Sequence, residues 1–307
     1  MTTNVFSGQE KSAVEAADCI EWFRSMPSDS VDLVFGSPPY EDSRSYGINF
    51  KLKGQAWVDW MFGVCKEASR VCKGLVAFVV EGKTKNFRWS AVPVLLQADL
   101  HRAGYRLRKP PVYHRDGICG SGGPDWLRNS YETIICISKG KLPWSDNTSC
   151  GHPPVYGPGG EISHRTKSGE RVNALTDGRR READADGNFV CNKKKHTKAK
   201  YNGDEQQAYK PPKLANPGNV LHYAVGGGRM GSMLAHDNEA PFHIGLAEFF
   251  VKSFCPHGGI VCDPFCGSGT TLSAALMHGR RAIGCDIRQS QVDLTLRRIE
   301  ETNMQFV

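Results

Sequence analysis

At 307 residues, 39% of them hydrophobic, the chain can bury a full core, as one large domain or as one domain with an insertion. No apolar run approaches the roughly 20 residues that span a bilayer, and no basic start followed by an apolar stretch marks a secretory signal, so the expectation is a cytoplasmic protein with no membrane partner. The net charge of +7 suits a polyanionic partner, and an odd count of 11 cysteines reads as reduced thiols rather than a disulfide framework.

Residues 1–11 read as a loose arm. From Asp18 the spacing of Ile20, Phe23 and Met26 predicts a short helix, which Pro27-Ser28-Asp29-Ser30 stops. Val31 to Phe35 is a buried strand that ends abruptly in Ser37-Pro38-Pro39-Tyr40. The two prolines fix φ and can continue neither a ladder nor a helix. The carbonyls of this turn therefore face whatever lies beyond the strand's carboxyl end, which is where open α/β sheets bind ligands. A fixed carbonyl, a hydroxyl acceptor and a flat ring make a site for a planar group carrying an amine.

A polar loop covers residues 41–54. Trp57, Trp60, Met61, Val64, Cys65, Ala68 and Val71 then recur at helical spacing, with Gly74 expected to close the helix. Trp57 and Trp60 read as core rather than as base-stacking rings. Leu75 to Val80 is a fully buried strand. Residues 91–103 are helical, with Pro93 tolerated in the first turn. Tyr105 to His114 is extended, and a Gly-rich loop at 117–123 leads to a strand from Tyr131 to Ser138.

The character changes over residues 140–218, which are rich in Gly, Pro, Lys, Arg, Asn and Asp and have little apolar period. A compact domain does not hold so long a structureless loop, so this is either an inserted small module or a segment that orders on a partner. Two basic runs lie inside it: Arg179-Arg180-Arg181, and Lys193, Lys194, Lys195, Lys198 and Lys200. Such runs are solvated faces or nucleic-acid contacts. Cys150 with His152, and Cys191 with His196, match no C-x-x-C knuckle, and no metal is expected.

Order returns near Val220, after which Gly226-Gly227-Gly228 reads as a joint and Phe242 to Phe254 as a helix. Ile260-Val261-Cys262 is a short buried strand, followed by Asp263-Pro264-Phe265-Cys266-Gly267-Ser268-Gly269-Thr270-Thr271 opening a helix. Ala282 to Asp286 is the next strand and Gln289 to Glu301 the last helix. Strand, loop, helix and strand in this rhythm form an α/β unit with a parallel sheet.

A Gly-rich turn between strand and helix, with an acid about 20 residues on, is a mononucleotide-binding arrangement. Asp286 is placed to accept both ribose hydroxyls, or else is an ordinary helix cap. The full G-x-G-x-x-G is absent, because Leu272 stands where the third glycine is needed. A Walker loop is absent too, because Gly82-Lys83-Thr84 has Ala77 in the required glycine position. Asp263 would repel a phosphate and suits an ammonium. A nucleoside with a positively charged tail fits this chemistry, and S-adenosylmethionine is such a molecule.

Asp-Pro-Phe-x-Gly-Ser-Gly-Thr-Thr together with Ser-Pro-Pro-Tyr resembles the amino-group DNA methyltransferases, which modify cytosine N4 or adenine N6. Ala17-Asp18 resembles that family's short acidic motif at the cofactor adenine. Asn129-Ser130-Tyr131-Glu132 resembles its late sheet motif, and His236 to Leu246, with Pro241-Phe242, the segment lining the methionine end. His243 stands where relatives usually carry a second proline. The catalytic motif precedes the cofactor motif, as in the permuted β group, whose target-recognition region lies between the halves.

The resemblance implies an α/β, Rossmann-like S-adenosylmethionine-dependent methyltransferase sheet with helices on both faces, circularly permuted, plus an inserted basic target-recognition region. The implied division is a catalytic half at 1–139, the insertion at 140–218 and a cofactor half at 219–307. Ser37, Pro38, Pro39 and Tyr40 would be catalytic. Asp18, Phe242, Asp263, Phe265, Gly267, Ser268, Gly269, Thr270 and Asp286 would hold the cofactor, and the eight named Arg and Lys residues of the insertion would hold double-stranded DNA. A homodimer and a cognate restriction endonuclease remain open as partners of a cytoplasmic, prokaryotic or phage-encoded enzyme.

Serine at the first catalytic position goes more often with cytosine in that family, so the expected reaction is methylation of cytosine N4 in duplex DNA, with adenine N6 as the alternative. The base leaves the duplex, since its amine is otherwise paired, and the methyl passes directly in line. No Pro-Cys dipeptide offers the nucleophile of cytosine-C5 enzymes. An RNA or protein methyltransferase and an inactive DNA-binding relative are the remote alternatives.

Overall fold

The computed structural model describes residues 2–41, 50–116, 125–153, 163–165, 171–173, 182–183, 189–190, 213–224, 229–238 and 240–304. It divides into two compact units, one of residues 1–150 with 218–307 and one of residues 151–217.

In the first unit, helices α1 (Thr2–Phe6), α2 (Cys19–Ser25), α3 (Gln55–Val71) and α4 (Val92–Arg102) accompany strands β1 (Ser12–Ala16), β2 (Val31–Gly36) and β3 (Cys72–Val80). A short hairpin, β4 (Thr84–Lys85) and β5 (Arg88–Trp89), follows β3. Then come β6 (Leu107–Arg108), β7 (Val112–Asp116) and β8 (Tyr131–Ser138). The second unit holds two antiparallel pairs, β9 (Ser163–Arg165) with β10 (Arg171–Asn173) and β11 (Glu182–Ala183) with β12 (Phe189–Val190). The chain returns to the first unit with β13 (Val220–Ala224), α5 (Ile244–Phe254), β14 (Ile260–Asp263), α6 (Thr270–Met277), β15 (Arg281–Asp286) and α7 (Gln289–Met304).

Apart from the β4–β5 hairpin, the strands of the first unit form one sheet in the order β1-β15-β14-β2-β3-β8-β7-β13, with β6 also on β8. From β1 to β3 every pairing is parallel, while β8 runs antiparallel to β3 and β7. The apolar runs are continuous because both faces are covered. Along β3, Cys72, Val76, Phe78 and Val80 pack on one side with Trp57, Met61 and Leu96. Leu75, Ala77 and Val79 pack on the other with Leu246, Phe250 and Leu272. This is the period-2 alternation of a strand read against two helical layers. Across the second layer, Phe35 of β2 stacks on Phe250 of α5 with ring centroids 4.5 Å apart.

Two expectations change. Residues 2–11 do not form the loose arm expected over 1–11: α1 buries Val5, and the Arg281 guanidinium donates to the Val5 carbonyl at 2.7 Å. The arm leads into β1, an edge strand with Ser12 opposite Ala282 and Ala16 opposite Asp286. Gly74 does not close α3. The helix ends at Val71, and Gly74 lies inside β3, where a Cβ would collide with the Asp32 carbonyl. Glycine permits the close approach of β2 and β3 at the register shift between Val31 and Leu33. Among the described residues no helix is long and apolar enough to cross a membrane.

Candidate active site

From β14 the sheet continues one way to β15 and β1, and from β2 the other way to β3 and β8. The loops leaving the carboxyl ends of these two adjacent parallel strands therefore part, and a crevice opens at this switch point. A cavity of about 230 Å³ occupies it. Ser37, Pro38, Pro39 and Tyr40 line it from the β2 loop, and Phe265, Gly267, Ser268 and Thr270 from the β14 loop.

The β2 loop is held from several directions. The Ser37 hydroxyl lies 3.2 Å from the Val79 carbonyl of β3 and 3.4 Å from the Tyr40 hydroxyl. Its single hydrogen goes to one of these, which leaves oxygen lone pairs for a further donor. The Tyr40 hydroxyl donates to Glu132 at 3.0 Å, and Arg115 pairs with the other Glu132 oxygen at 2.8 Å. Burial, and then the Glu132 charge, push the Tyr40 phenol well above its ordinary range, so it stays a donor. The indole of Trp57, fully buried, donates to the Pro39 carbonyl at 2.9 Å. The Pro38 carbonyl keeps no partner among the described residues. Buried Glu41 ends the loop by accepting from the Gly54 amide at 2.7 Å and the Lys83 amide at 3.2 Å.

The β14 loop turns tightly through Gly267 (φ +51°) and Gly269 (φ +75°), the latter capping α6. The Gly267 amide donates to Asp286 at 3.1 Å, and Thr295 of α7 donates to the Gly267 carbonyl at 2.8 Å. Beneath the loop lies Arg298, only 1% exposed. It donates to the Ser268 carbonyl at 3.2 Å, the Thr270 hydroxyl at 2.8 Å and the Met230 carbonyl at 2.5 Å. Sequence reasoning missed Arg298, although a visible signal exists. It falls on the buried stripe of α7 that carries Leu294, Thr295, Ile299 and Thr302, and a cation there needs buried acceptors.

Of the residues expected to hold a cofactor, Asp18, Phe242, Phe265, Gly267, Ser268, Thr270 and Asp286 all line the cavity. Asp18 caps α2 by accepting from Ile20 at 2.9 Å and Glu21 at 3.2 Å through one oxygen, and its other oxygen keeps no partner among the described residues. Asp263 and Gly269 do not line it. Asp263 is 1% exposed, accepts from the Phe265 amide at 2.9 Å, and abuts Gly36, where any Cβ would collide with it. Burial raises its carboxyl to about 7. Its place is under the loop, which it shapes. Gly269 packs on Thr295 for the same reason. His243, where a second proline was expected, has φ −61°, the angle proline would impose, and its Nδ1 accepts from the Gly245 amide at 2.9 Å to cap α5. Trp60, expected in the core, is partly buried and also reaches the cavity, its ring centroid 5.8 Å from that of Phe265. Arg179, Arg180, Arg181, Lys193, Lys194, Lys195, Lys198 and Lys200, together with Cys191 and His196, lie outside the described residues.

A mostly parallel α/β sheet with an acceptor-bearing Pro-Pro turn and a glycine-rich loop facing each other at its switch point defines a methyltransferase of the Rossmann-like class. The chain belongs to the N6/N4 DNA methylase family, whose model matches residues 31–297. The DNA adenine methyltransferase YhdJ of Escherichia coli (strain K12) is 26% identical over 95% of this chain and 84% of its own length. The orphan methyltransferase M.BamHII of Bacillus amyloliquefaciens is 27% identical over 88% of this chain and 89% of its own. Among solved structures, the PvuII DNA methyltransferase (cytosine-N4-specific) shares the fold with a TM-score of 0.62 at 17% identity, covering 96% of this chain and 90% of that one. A putative DNA modification methylase from Thermus thermophilus, solved in complex with S-adenosyl-L-methionine, does so with a TM-score of 0.53 at 20% identity, covering 95% and 96%. The chain is thus a DNA methyltransferase of this family, and S-adenosylmethionine is its methyl donor.

The cavity suits that donor by its chemistry. It offers a strand-end carboxylate for hydroxyls (Asp286), a carboxylate oxygen for an amine (Asp18) and apolar walls for a flat ring (Phe265, Ile287).

Proposed function

We propose that this enzyme methylates the exocyclic N4 amine of cytosine in duplex DNA. The observation that carries the reading is the Ser37 hydroxyl, set at the cavity beside the Pro38 carbonyl, which has no partner among the described residues, with the Val79 carbonyl in reach of its hydrogen. In the family this chain resembles, serine at that position goes more often with cytosine.

The amine's lone pair is conjugated with its ring, so it is a weak nucleophile until held. Ser37 Oγ and the Pro38 carbonyl accept its two hydrogens and turn the lone pair outward. The Tyr40 ring, fixed through its hydroxyl by Glu132, stacks on the extruded base. Trp57 keeps the Pro39 carbonyl out of competition. S-adenosylmethionine, when bound, supplies an activated methyl on sulfonium sulfur. Asp286, Asp18, Phe265, Gly267, Ser268, Thr270 and Phe242 hold it, while Asp263 and Gly269 shape their loop. Rate enhancement then comes from orientation and needs no covalent step on the protein. In the division of labour proposed here, residues 1–139 carry catalysis, 219–307 the donor, and the basic runs within 140–218 the DNA backbone.

A second reading, adenine N6, is favoured by the similarity to an Escherichia coli protein named a DNA adenine methyltransferase. Digesting methylated DNA to nucleosides separates the two. N4-methylcytosine is expected, and N6-methyladenine as the sole product would sink the cytosine assignment.

A further inference from the structure

The hairpin of β4 and β5 projects from the carboxyl end of β3, a few residues beyond Val79, which lines the cavity. It is fastened to the catalytic loop. The Glu41 carboxylate next to Tyr40 accepts from the Lys83 amide, the Ser90 amide donates to the Lys83 carbonyl at 3.0 Å, and the Trp89 indole donates to Glu81 at 3.0 Å. Its two-residue tip is Asn86-Phe87, with φ of +51° and +61°. Tight hairpin turns of this kind favour Asn and then Gly. Asn86 fits, but Phe87 stands in the glycine position, where a bulky side chain is strained. Phe87 is 80% exposed, Lys85 and Arg88 flank it in the sequence, and no acid lies between residues 82 and 90.

A strained aromatic tip, flanked by cations and fastened to the loop that receives the base, fits a partner that is both anionic and able to take a flat apolar group. Duplex DNA with one base swung out is such a partner: phosphates for the cations, an emptied stacking slot for the ring. We infer that the 84–89 hairpin is a DNA wedge, with Phe87 entering the stack where the target base has left. The inference rests on the proposed action on duplex DNA.

The test compares methyl transfer by Phe87→Ala and Phe87→Gly variants on two versions of one duplex, one with the target base paired and one with it mismatched. Glycine relieves the turn strain, so Phe87→Gly is expected to melt no lower than the wild type. Both variants should lose about tenfold or more on the paired duplex, and most of that loss should vanish on the mismatch, where extrusion costs less. Equal losses on both duplexes, or no loss on either, would overturn the wedge. So would unchanged transfer with an altered oligomeric state, which assigns the tip to a protein contact. A wild-type chain that methylates no duplex DNA defeats the functional reading itself, an outcome distinct from these.

Discussion

The Tyr40 hydroxyl donates a 3.0 Å hydrogen bond to Glu132, joining the loop after β2 to strand β8 across the intervening β3. The bond is anchored in turn by Arg115 from β7, so three strands orient one ring. Hydrogen bonds to charged groups contribute roughly 1.5–3 kcal/mol, and base stacking on an aromatic ring roughly 1–3 kcal/mol. Tyr40→Phe keeps the ring and loses the tie. It should lower the single-turnover rate by about tenfold, while Tyr40→Ala should lower it by about a hundredfold or more. Equal damage from the two would mean that the hydroxyl, not the ring, carries the role.

Ser37 faces the cavity with oxygen lone pairs to spare, whereas the expected donor-holding residues sit on other elements. Ser37→Ala should therefore cut methyl transfer by at least about a hundredfold, the size of a lost orienting contact. Affinity for S-adenosylmethionine, read by calorimetry, should stay within about twofold. Loss of donor binding would show that the two loops do not divide the work as argued.

Much of this site is legible in the residues themselves, because it consists of two short loops that each follow a doubly buried strand. Apolar runs such as Val31–Phe35 and Leu75–Val80 announce themselves, and Pro-Pro and Gly-Ser-Gly mark where they stop. What escaped reading depends on pairings distant in sequence. β1 is five residues long with a glutamate inside, and its partner β15 lies some 270 residues away. Glu132 meets Tyr40 only once β8 has paired beside β3, and Arg115 meets Glu132 only through the antiparallel pairing of β7 and β8. Asp263 shows the reverse failure. A motif acid looked like a ligand group, but proximity to Gly36 decides its place, and that is a property of neighbouring strands.

Asp263 makes stability depend on pH. Burial raises its carboxyl from the ordinary value near 3.8 to about 7, so the folded state binds a proton that the unfolded state has released between those values. Its contribution is fully present below about pH 4 and is lost as pH rises through 7. Asp263→Asn keeps an acceptor for the Phe265 amide and carries no charge. The variant should hold its melting temperature between pH 5 and 8 where the wild type declines. At pH 8 it should be the more stable by up to roughly 4 kcal/mol, at about 1.4 kcal/mol per unit. Parallel melting curves across that range would show that the wild-type carboxyl titrates near its ordinary value.

Arg298 supports the β14 loop from below, and no shorter cation can reach the Ser268 carbonyl, the Thr270 hydroxyl and the Met230 carbonyl together. Burial lowers its guanidinium to about 10, still charged at neutral pH. Arg298→Lys leaves buried acceptors unmet, at roughly 1–3 kcal/mol each. The variant should weaken S-adenosylmethionine binding by about tenfold or more and shift the chain's unfolding to lower denaturant. The transfer rate at saturating donor should change far less, because the β2 loop is untouched. A rate loss without an affinity loss would place Arg298 in the wrong half of the site.

On the proposed reading, the basic runs at 179–181 and 193–200 hold eight cations available for phosphate contacts. Each phosphate neutralised in duplex DNA adds about 0.9 to the slope of log affinity against log salt. Replacing Lys193, Lys194, Lys195 and Lys198 together by Ala should therefore lower that slope by about 3 to 4 if all four meet phosphates. Donor affinity depends on residues of the other unit and should be unchanged, which separates lost DNA contact from lost folding. The nucleoside formed should also be unchanged if, as proposed, Ser37 and Tyr40 choose the base and these lysines meet only the backbone. An unaltered slope would mean that the insertion's charge is a solvated surface, and that the DNA is held by the cavity rim and the 84–89 hairpin instead.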